Sequence, residues 1–347
     1  MVDLNIPSTF KHLDPKDVYG STGLLSEQVK QVLNDFKSIN PPNDYRNIKN
    51  IVISGMGGSA YGGHVAKSLL KQDLEVPIYI NNDYTLPSFV NTDSLVILIS
   101  YSGATEETLA SARQALEKKA KISGITASGD LEEFLKQNSS FYYIFDPKNN
   151  PSGQPRLGTG YIVLGTLMIF KKLNLIDLSE DVIVNATENL LKNKNKISEN
   201  AKDLAQKTYG KIPLIFASEF LEGNAHILRN QVNETAKCFS EFGIIPEINH
   251  HLMEGLKNPQ DRKLISLFIN STLYSERNEK RLSLTKDVVT QNNIEIIEYL
   301  PNGNDQLSQV LDVLSFGGFY SFYLAILYDQ DPSLIPWVDY FKNQLKK

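Results

Sequence analysis

The stretch Leu95–Thr108, LVILISYSGATEET, runs from five consecutive apolar residues into hydroxyl side chains at 100, 102 and 105, a glycine, and the acidic opening of a helical pattern. An unbroken Leu/Val/Ile run without alternation predicts a strand buried on both faces, the kind found in parallel sheets. The hydroxyl-rich continuation of that strand allows two readings. Ser and Thr ahead of Glu residues cap the free amides of a first helical turn. Alternatively, the hydroxyls and those same amides surround an anion. A cap accounts for one hydroxyl, and three stand here.

Outward from this stretch the pattern repeats. Short apolar segments at 50–55, 75–82, 94–100, 120–127 and 141–145 are separated by the helical periods YGGHVAKSLLKQ and TEETLASARQALEKKA. Strands alternating with helices predict a parallel sheet covered on both faces. GYIVLGTLMIFKKLNL reads as a buried helix closing this unit. The charged segment 188–210 reads as linker or amphipathic helix, with apolar spacing favouring helix. A second series comes after it: strands at 212–218, 263–271 and 294–300, with helices through NAHILRNQVNETAK, near 276–289, and from about 305 to 328. Two α/β units in tandem suggest a duplication. The expected organisation is an N-terminal helical segment 1–44, a first domain 45–175, a connecting helix 176–208, and a second domain 209–347 ending in a C-terminal helix.

Bulk composition narrows the function. The 347 residues carry 35 basic and 40 acidic side chains, net −5, so no broad field attracts nucleic acid or an anionic membrane. Any bound anion needs a local pocket. The single cysteine, Cys238, has no internal disulfide partner, which predicts a reducing compartment. The N-terminal MVDLNIPSTFKHLDP lacks the apolar core of a signal peptide, and LSFGGFYSFYLAILY at 314–328 is too short to span a bilayer. The expectation is a cytoplasmic protein.

A second loop joins the first. SGMGGSAYGG (54–63) links the first strand to its helix, with glycines that permit close backbone approach to an anion. It lacks the Lys-Ser/Thr of a Walker A loop. Its G-x-G-x-x-A at 55–60, with Asp83 after the next strand, keeps a dinucleotide reading open. Both loops open at the carboxyl edge of the same predicted sheet, where ligands of such sheets bind.

Together, GMGGS, SYSGATEET, Pro155-Arg156, NQVNETAK and PEINHH, in this order, resemble the sugar isomerase (SIS) superfamily. More closely, they are similar to its bifunctional phosphoglucose/phosphomannose isomerases, over nearly the whole chain from about 45 onward. The resemblance implies two tandem SIS domains, each a parallel sheet flanked by helices in a flavodoxin-like or Rossmann-like sandwich. It implies a cradle for the sugar phosphate at Gly58, Ser59, Ser100, Ser102 and Thr105. It further implies Glu234 as the base, Arg156 beside the reacting carbons, and His250 with Lys342 in ring opening. It also implies a homodimer in which His250 enters the neighbouring subunit's site, the loop PEINHHLMEGL supplying an apolar anchor through Ile248, Leu252, Met253 and Leu256. A small polar residue near the C-terminal lysine goes with mannose activity, and here Ile335 takes the place of a threonine.

These roles suit the chemistry. Moving a carbonyl from C1 to C2 needs one base able to take and return a proton, and a partly buried carboxylate is suited to it. A guanidinium stays protonated beside an enediolate. No metal or cofactor is required, since the five histidines show no ligand spacing. Plainer readings exist beside these. Glu234 and Lys237 could form a surface i,i+3 pair, His251 could replace His250, Lys342 could be a solvated tail lysine, and His64 and His226 read as packing residues. The rival functions are an amino-sugar phosphate isomerase, a non-catalytic sugar-phosphate sensor, and an NAD-dependent enzyme.

Overall fold

The computed structural model describes residues 4–139 and 141–345, so the extreme ends of the expected outer segments, 1–3 and 346–347, lie outside the described residues. The chain opens with α1 (Val18–Thr22) and α2 (Leu25–Asp35) and then builds β1 (Asn50–Ser54), α3 (Tyr61–Leu69), β2 (Ile78–Asn81), β3 (Ser94–Ser100), α4 (Glu106–Glu117), β4 (Lys121–Thr126), α5 (Asp130–Asn138) and β5 (Tyr143–Ile144). Helix α6 (Thr159–Lys172) completes the first unit and α7 (Glu180–Thr208) crosses to the second. The second unit comprises β6 (Ile212–Ser218), α8 (Glu222–Ala236), β7 (Glu241–Ile245), α9 (Leu252–Gly255), β8 (Leu264–Ile269), α10 (Glu276–Gln291), β9 (Glu295–Tyr299), α11 (Gln306–Leu327) and α12 (Pro336–Gln344).

Strand β3 forms as its composition dictates. All seven of its residues are buried, and they alternate between two cores. Leu95, Ile97 and Ile99 join the core built with α2, α3 and α6. Val96 and Leu98 join Ala112 and Ala115 of α4 and Leu131 and Leu135 of α5. A strand covered on both faces therefore reads as continuous apolar sequence rather than as alternation.

Among the described residues the first sheet has the order β2-β1-β3-β4-β5 and the second β7-β6-β8-β9, every pairing parallel. The first order is that of a flavodoxin-like sheet, with its topological switch between β1 and β3. The loops leaving those two strands are the glycine loop and the hydroxyl loop. The fold thus places both at one crevice.

Helix α7 is continuous over 29 residues, so the segment at 188–210 is helix and not linker. Helix α11, apolar enough to cross a membrane, is buried along nearly its whole length against α7 and α8. It is the shared core of the molecule. Strand β7, helix α5 and the turn helix α9 go beyond what the sequence patterns predict.

Candidate active site

At the β1/β3 switch point lies a cleft of about 520 Å³. The glycine loop forms its floor. Gly57 has φ +50°, where L side chains are strained, and a Cβ there would stand 3.7 Å from the Glu234 Oε1 atom. Gly58 lets the loop lie against the Pro155-Arg156 turn, since a Cβ would come within 3.0 Å of the Arg156 backbone. Ser59 faces the cleft while its Oγ accepts the Tyr101 N–H at 3.0 Å, tying the glycine loop to the hydroxyl loop.

The hydroxyl loop decides against simple capping. Thr105 is the N-cap of α4, yet its side chain makes no capping bond. Its Oγ1 pairs with Ser100 Oγ at 2.8 Å. Gly103, at φ +71°, folds the loop so closely onto the next one that a Cβ would overlap the Ser128 carbonyl oxygen. Ser102 and Thr105 line the cleft, and Ser100 lies buried beneath, outside the lining. Ser100 therefore supports Thr105 rather than facing the cleft.

The second unit makes an instructive contrast. At its own switch point, between β6 and β8, the Glu219 carboxylate accepts the Ser275 N–H at 3.0 Å, the Ser275 hydroxyl at 2.6 Å and the Asn278 amide at 2.7 Å. A carboxylate of the chain itself thus takes up donors at the N-terminus of α10, while the corresponding end of α4 stays open to the cleft.

Glu234, near the end of α8, enters the cleft from the second unit. Burial raises its carboxyl pKa above the ordinary value, against the lowering pull of Arg156, then Lys342, then Lys237. Some 29% of its side chain remains accessible, through the cleft mouth. It is not a surface partner of Lys237, because no salt bridge joins the two among the described residues.

Arg156 is almost wholly buried, and most of its donors are committed. Nε donates to Thr235 Oγ1 at 3.0 Å, Nη1 to Gln154 Oε1 at 3.0 Å, and Nη2 to the carbonyls of Pro332 and Ser333 at 2.5 and 3.2 Å. What remains is the Nη1 side facing Glu234 Oε2 at 3.8 Å. The guanidinium is a fixed cation, held rather than mobile.

The C-terminal helix α12 supplies the last wall through Ile335, just before it, and Val338, Phe341 and Lys342. Ser333 faces away, its hydroxyl donating to the Asp331 carboxylate at 2.7 Å. Ile335 is therefore the residue of the 333–336 segment that meets the cleft.

His250 is not among the cleft-lining residues. It ends a 3-10 turn, Glu247–His250, and is exposed. Its neighbour Asn249 is clamped by Thr285 Oγ1 at 2.8 Å and Arg281 Nη1 at 3.3 Å, and His251 pairs with Glu247 at 2.9 Å. One part of the expected anchor is corrected. Ile248 and Leu256 are buried in this chain's own core, so only Leu252 and Met253 stay partly open. Asp83, the residue of the dinucleotide reading, accepts the adjacent Tyr84 N–H and does not line the cleft. Tyr84, Tyr101 and Glu106 do line it; Tyr101 and Glu106 belong to the SYSGATEET stretch, whereas no motif in the sequence marks Tyr84.

Comparison with known proteins fits this geometry. A family model described as "Bacterial phospho-glucose isomerase C-terminal SIS domain" matches residues 197–345, and one for the SIS domain matches 44–141. A bifunctional phosphoglucose/phosphomannose isomerase of Caldicellulosiruptor bescii is 33% identical over 334 residues, 92% of this chain and 96% of that protein. The chain belongs to the bifunctional phosphoglucose/phosphomannose isomerase family. A second member, from Aquifex aeolicus, is 32% identical over 92% of this chain and 97% of its own length. The C-terminal domain of glucosamine-fructose-6-phosphate aminotransferase from Francisella tularensis shares the fold, with TM-score 0.69 at 17% identity over 91% of this chain and 96% of that one. The family's two SIS units correspond to the two parallel sheets, and its members are isomerases.

Proposed function

We propose that the chain interconverts glucose 6-phosphate and fructose 6-phosphate, and mannose 6-phosphate through the same enediolate, by acid–base chemistry that needs no metal. The observation that carries this reading is the position of one carboxylate. Glu234 stands in the cleft facing the glycine loop, with the fixed Arg156 cation 3.8 Å away.

In this mechanism the phosphate rests on Ser102, Thr105 and the amides opening α4, with Ser59 and Gly58 beside it. Glu234 takes the C2 proton of the open aldose, and the C1 carbonyl becomes the enediolate oxygen. The proton returns to C1 while the O2 hydroxyl proton moves to O1, leaving a carbonyl at C2. Arg156 Nη1 offsets the negative charge as it develops. Lys342 and a histidine open the ring by moving protons between the ring oxygen and O1.

That histidine is His250 of a second copy in a homodimer. Three features support this: His250 is exposed, its loop is held by Arg281 and Thr285, and the cleft of its own chain does not include it. Helix α12 also presents Trp337 and Phe341, 75% and 65% exposed, at the cleft's edge. Apolar surface of that kind is usual at an isologous contact. Cytoplasmic residence fits the substrate, a phosphorylated sugar.

Glu234→Gln tests the reading in the presence of EDTA. Loss of proton transfer should lower kcat by roughly 100- to 10,000-fold. Binding of 5-phosphoarabinonate should change little, since the amide keeps the shape of the cleft. Because the base works ionised and its folded pKa is raised, wild-type activity should fall with acid at a higher pH than an ordinary carboxylate would give. A kcat within about tenfold of wild type removes Glu234 as the base.

A further inference from the structure

Lys237 ends α8 in a left-handed conformation, φ +52°. That state is common in the residue that ends a helix; what sets Lys237 apart is where its ammonium goes. Its ammonium donates to the Thr235 carbonyl at 3.0 Å and to the carbonyl of Asp331. The next two carbonyls, of Pro332 and Ser333, accept Arg156 Nη2. The Asp331 carboxylate folds back to accept the Ser333 N–H and hydroxyl, both at 2.7 Å. Three successive carbonyls are thus pinned by two cations, one from each unit of the fold.

Past these pins the chain enters α12, and every residue from Pro336 to Leu345 is exposed. A helix with so little burial of its own has few contacts to fix its place. Yet it brings Lys342 and three apolar side chains to the cleft wall. Its position depends on the turn at its root.

We propose that Lys237 is a positioning residue for the isomerisation: by holding the 331–333 turn it fixes both the Arg156 guanidinium beside Glu234 and the helix that carries Lys342. This rests on the isomerase reading above. The ammonium itself sits among charged groups from each element around it: Arg156 from the 155–157 turn, Asp331 from the pinned turn and Glu234 from its own helix. Burial first, and then Arg156, hold its pKa down to about 8, with Asp331 and Glu234 opposing. As pH rises through that value the charge-assisted bonds to the carbonyls weaken, and the pin loosens.

Lys237→Met and Lys237→Arg in the full chain test it, read by kcat and KM against pH and by hydrogen exchange over 334–345. The expected result for Met is a kcat lowered about tenfold or more with KM within about twofold, faster exchange in α12, and no alkaline limb near 8. Arg, charged throughout, should restore kcat and carry that limb to higher pH. The inference is overturned if Met leaves kcat and α12 exchange unchanged, or if the limb stays near 8 in both variants. Should the Met variant fail to fold, the limb in the Arg variant alone decides. Failure of wild type to turn over glucose 6-phosphate would overturn the isomerase reading instead, while the exchange comparison would still report on the pin.

Discussion

Thr105 separates the two readings of its loop because its hydroxyl has a partner and that partner is not the helix. Paired with Ser100 at 2.8 Å, it is oriented toward the cleft with the α4 amides unclaimed by its side chain. In the proposed cradle, Thr105→Val removes one hydrogen bond to the substrate phosphate, worth roughly 1.5–3 kcal/mol. KM for glucose 6-phosphate should therefore rise about ten- to a hundredfold, with kcat changed far less. Ser102→Ala should behave alike, and unchanged KM values in both would return these hydroxyls to the protein's own turn. Ile335 is the opposite case, an apolar side chain on the wall that Val338 and Phe341 also form. Ile335→Thr offers a hydroxyl to an enediol turning about C2–C3. It should raise mannose 6-phosphate turnover relative to glucose 6-phosphate by roughly two- to tenfold, the worth of one neutral hydrogen bond; an unchanged ratio from competing-substrate assays would take epimer choice away from this position.

At the scale of elements, α3 and α8 meet where the His64 and His226 rings touch at a tilt of 56°, centroids 3.8 Å apart. The helices approach so closely that a Cβ at Gly223 would lie 2.4 Å from the His64 carbonyl oxygen. Burial holds the His64 pKa down to about 3, with His226, Lys67 and Arg229 adding to it, and burial holds His226 near 4, Arg229 adding and Glu241 opposing. Both imidazoles are neutral in the fold at pH values where the unfolded chain protonates them. Between the ordinary value of 6.5 and about 4 the unfolded state thus binds more protons, and stability falls as pH falls through that window. His64→Phe should flatten the fall, measured as urea unfolding free energy against pH; an identical slope would mean that the fold does not hold His64 neutral in that window. The sequence placed these histidines correctly as packing residues, since their neighbours are apolar, but held no sign that they face each other. Strand β3 was legible because burial on both faces leaves only apolar residues. Strand β7 was not, because it is an edge strand with Glu241, Gly243 and alternating burial. In the site, loops with repeated hydroxyls and glycines announced themselves. The carbonyls that hold Arg156 and Lys237 could not, because backbone oxygens leave no mark on composition.

For the whole molecule the question posed by the site is a missing acid. One chain brings Glu234, Arg156 and Lys342 to a single cleft and leaves His250 on its surface. The second switch point supplies nothing further, because Glu219 already occupies its donors. The proposed homodimer would resolve this by exchanging histidines between two clefts, and it predicts complementation. Chains carrying His250→Ala and chains carrying Glu234→Gln are each inactive in that arrangement. In a mixed dimer, the cleft with intact Glu234 belongs to the His250→Ala chain, and its histidine comes from the Glu234→Gln chain, which has one. That cleft is complete, while the other lacks both groups. Half of the subunits pair this way when two variants exchange freely at equal concentration, so roughly a quarter of the wild-type activity per subunit should return. Fluorescence transfer between labelled chains establishes the exchange independently of activity. If the chains exchange and no activity returns, His250 serves its own subunit after a movement of its loop, and the crossed arrangement is wrong.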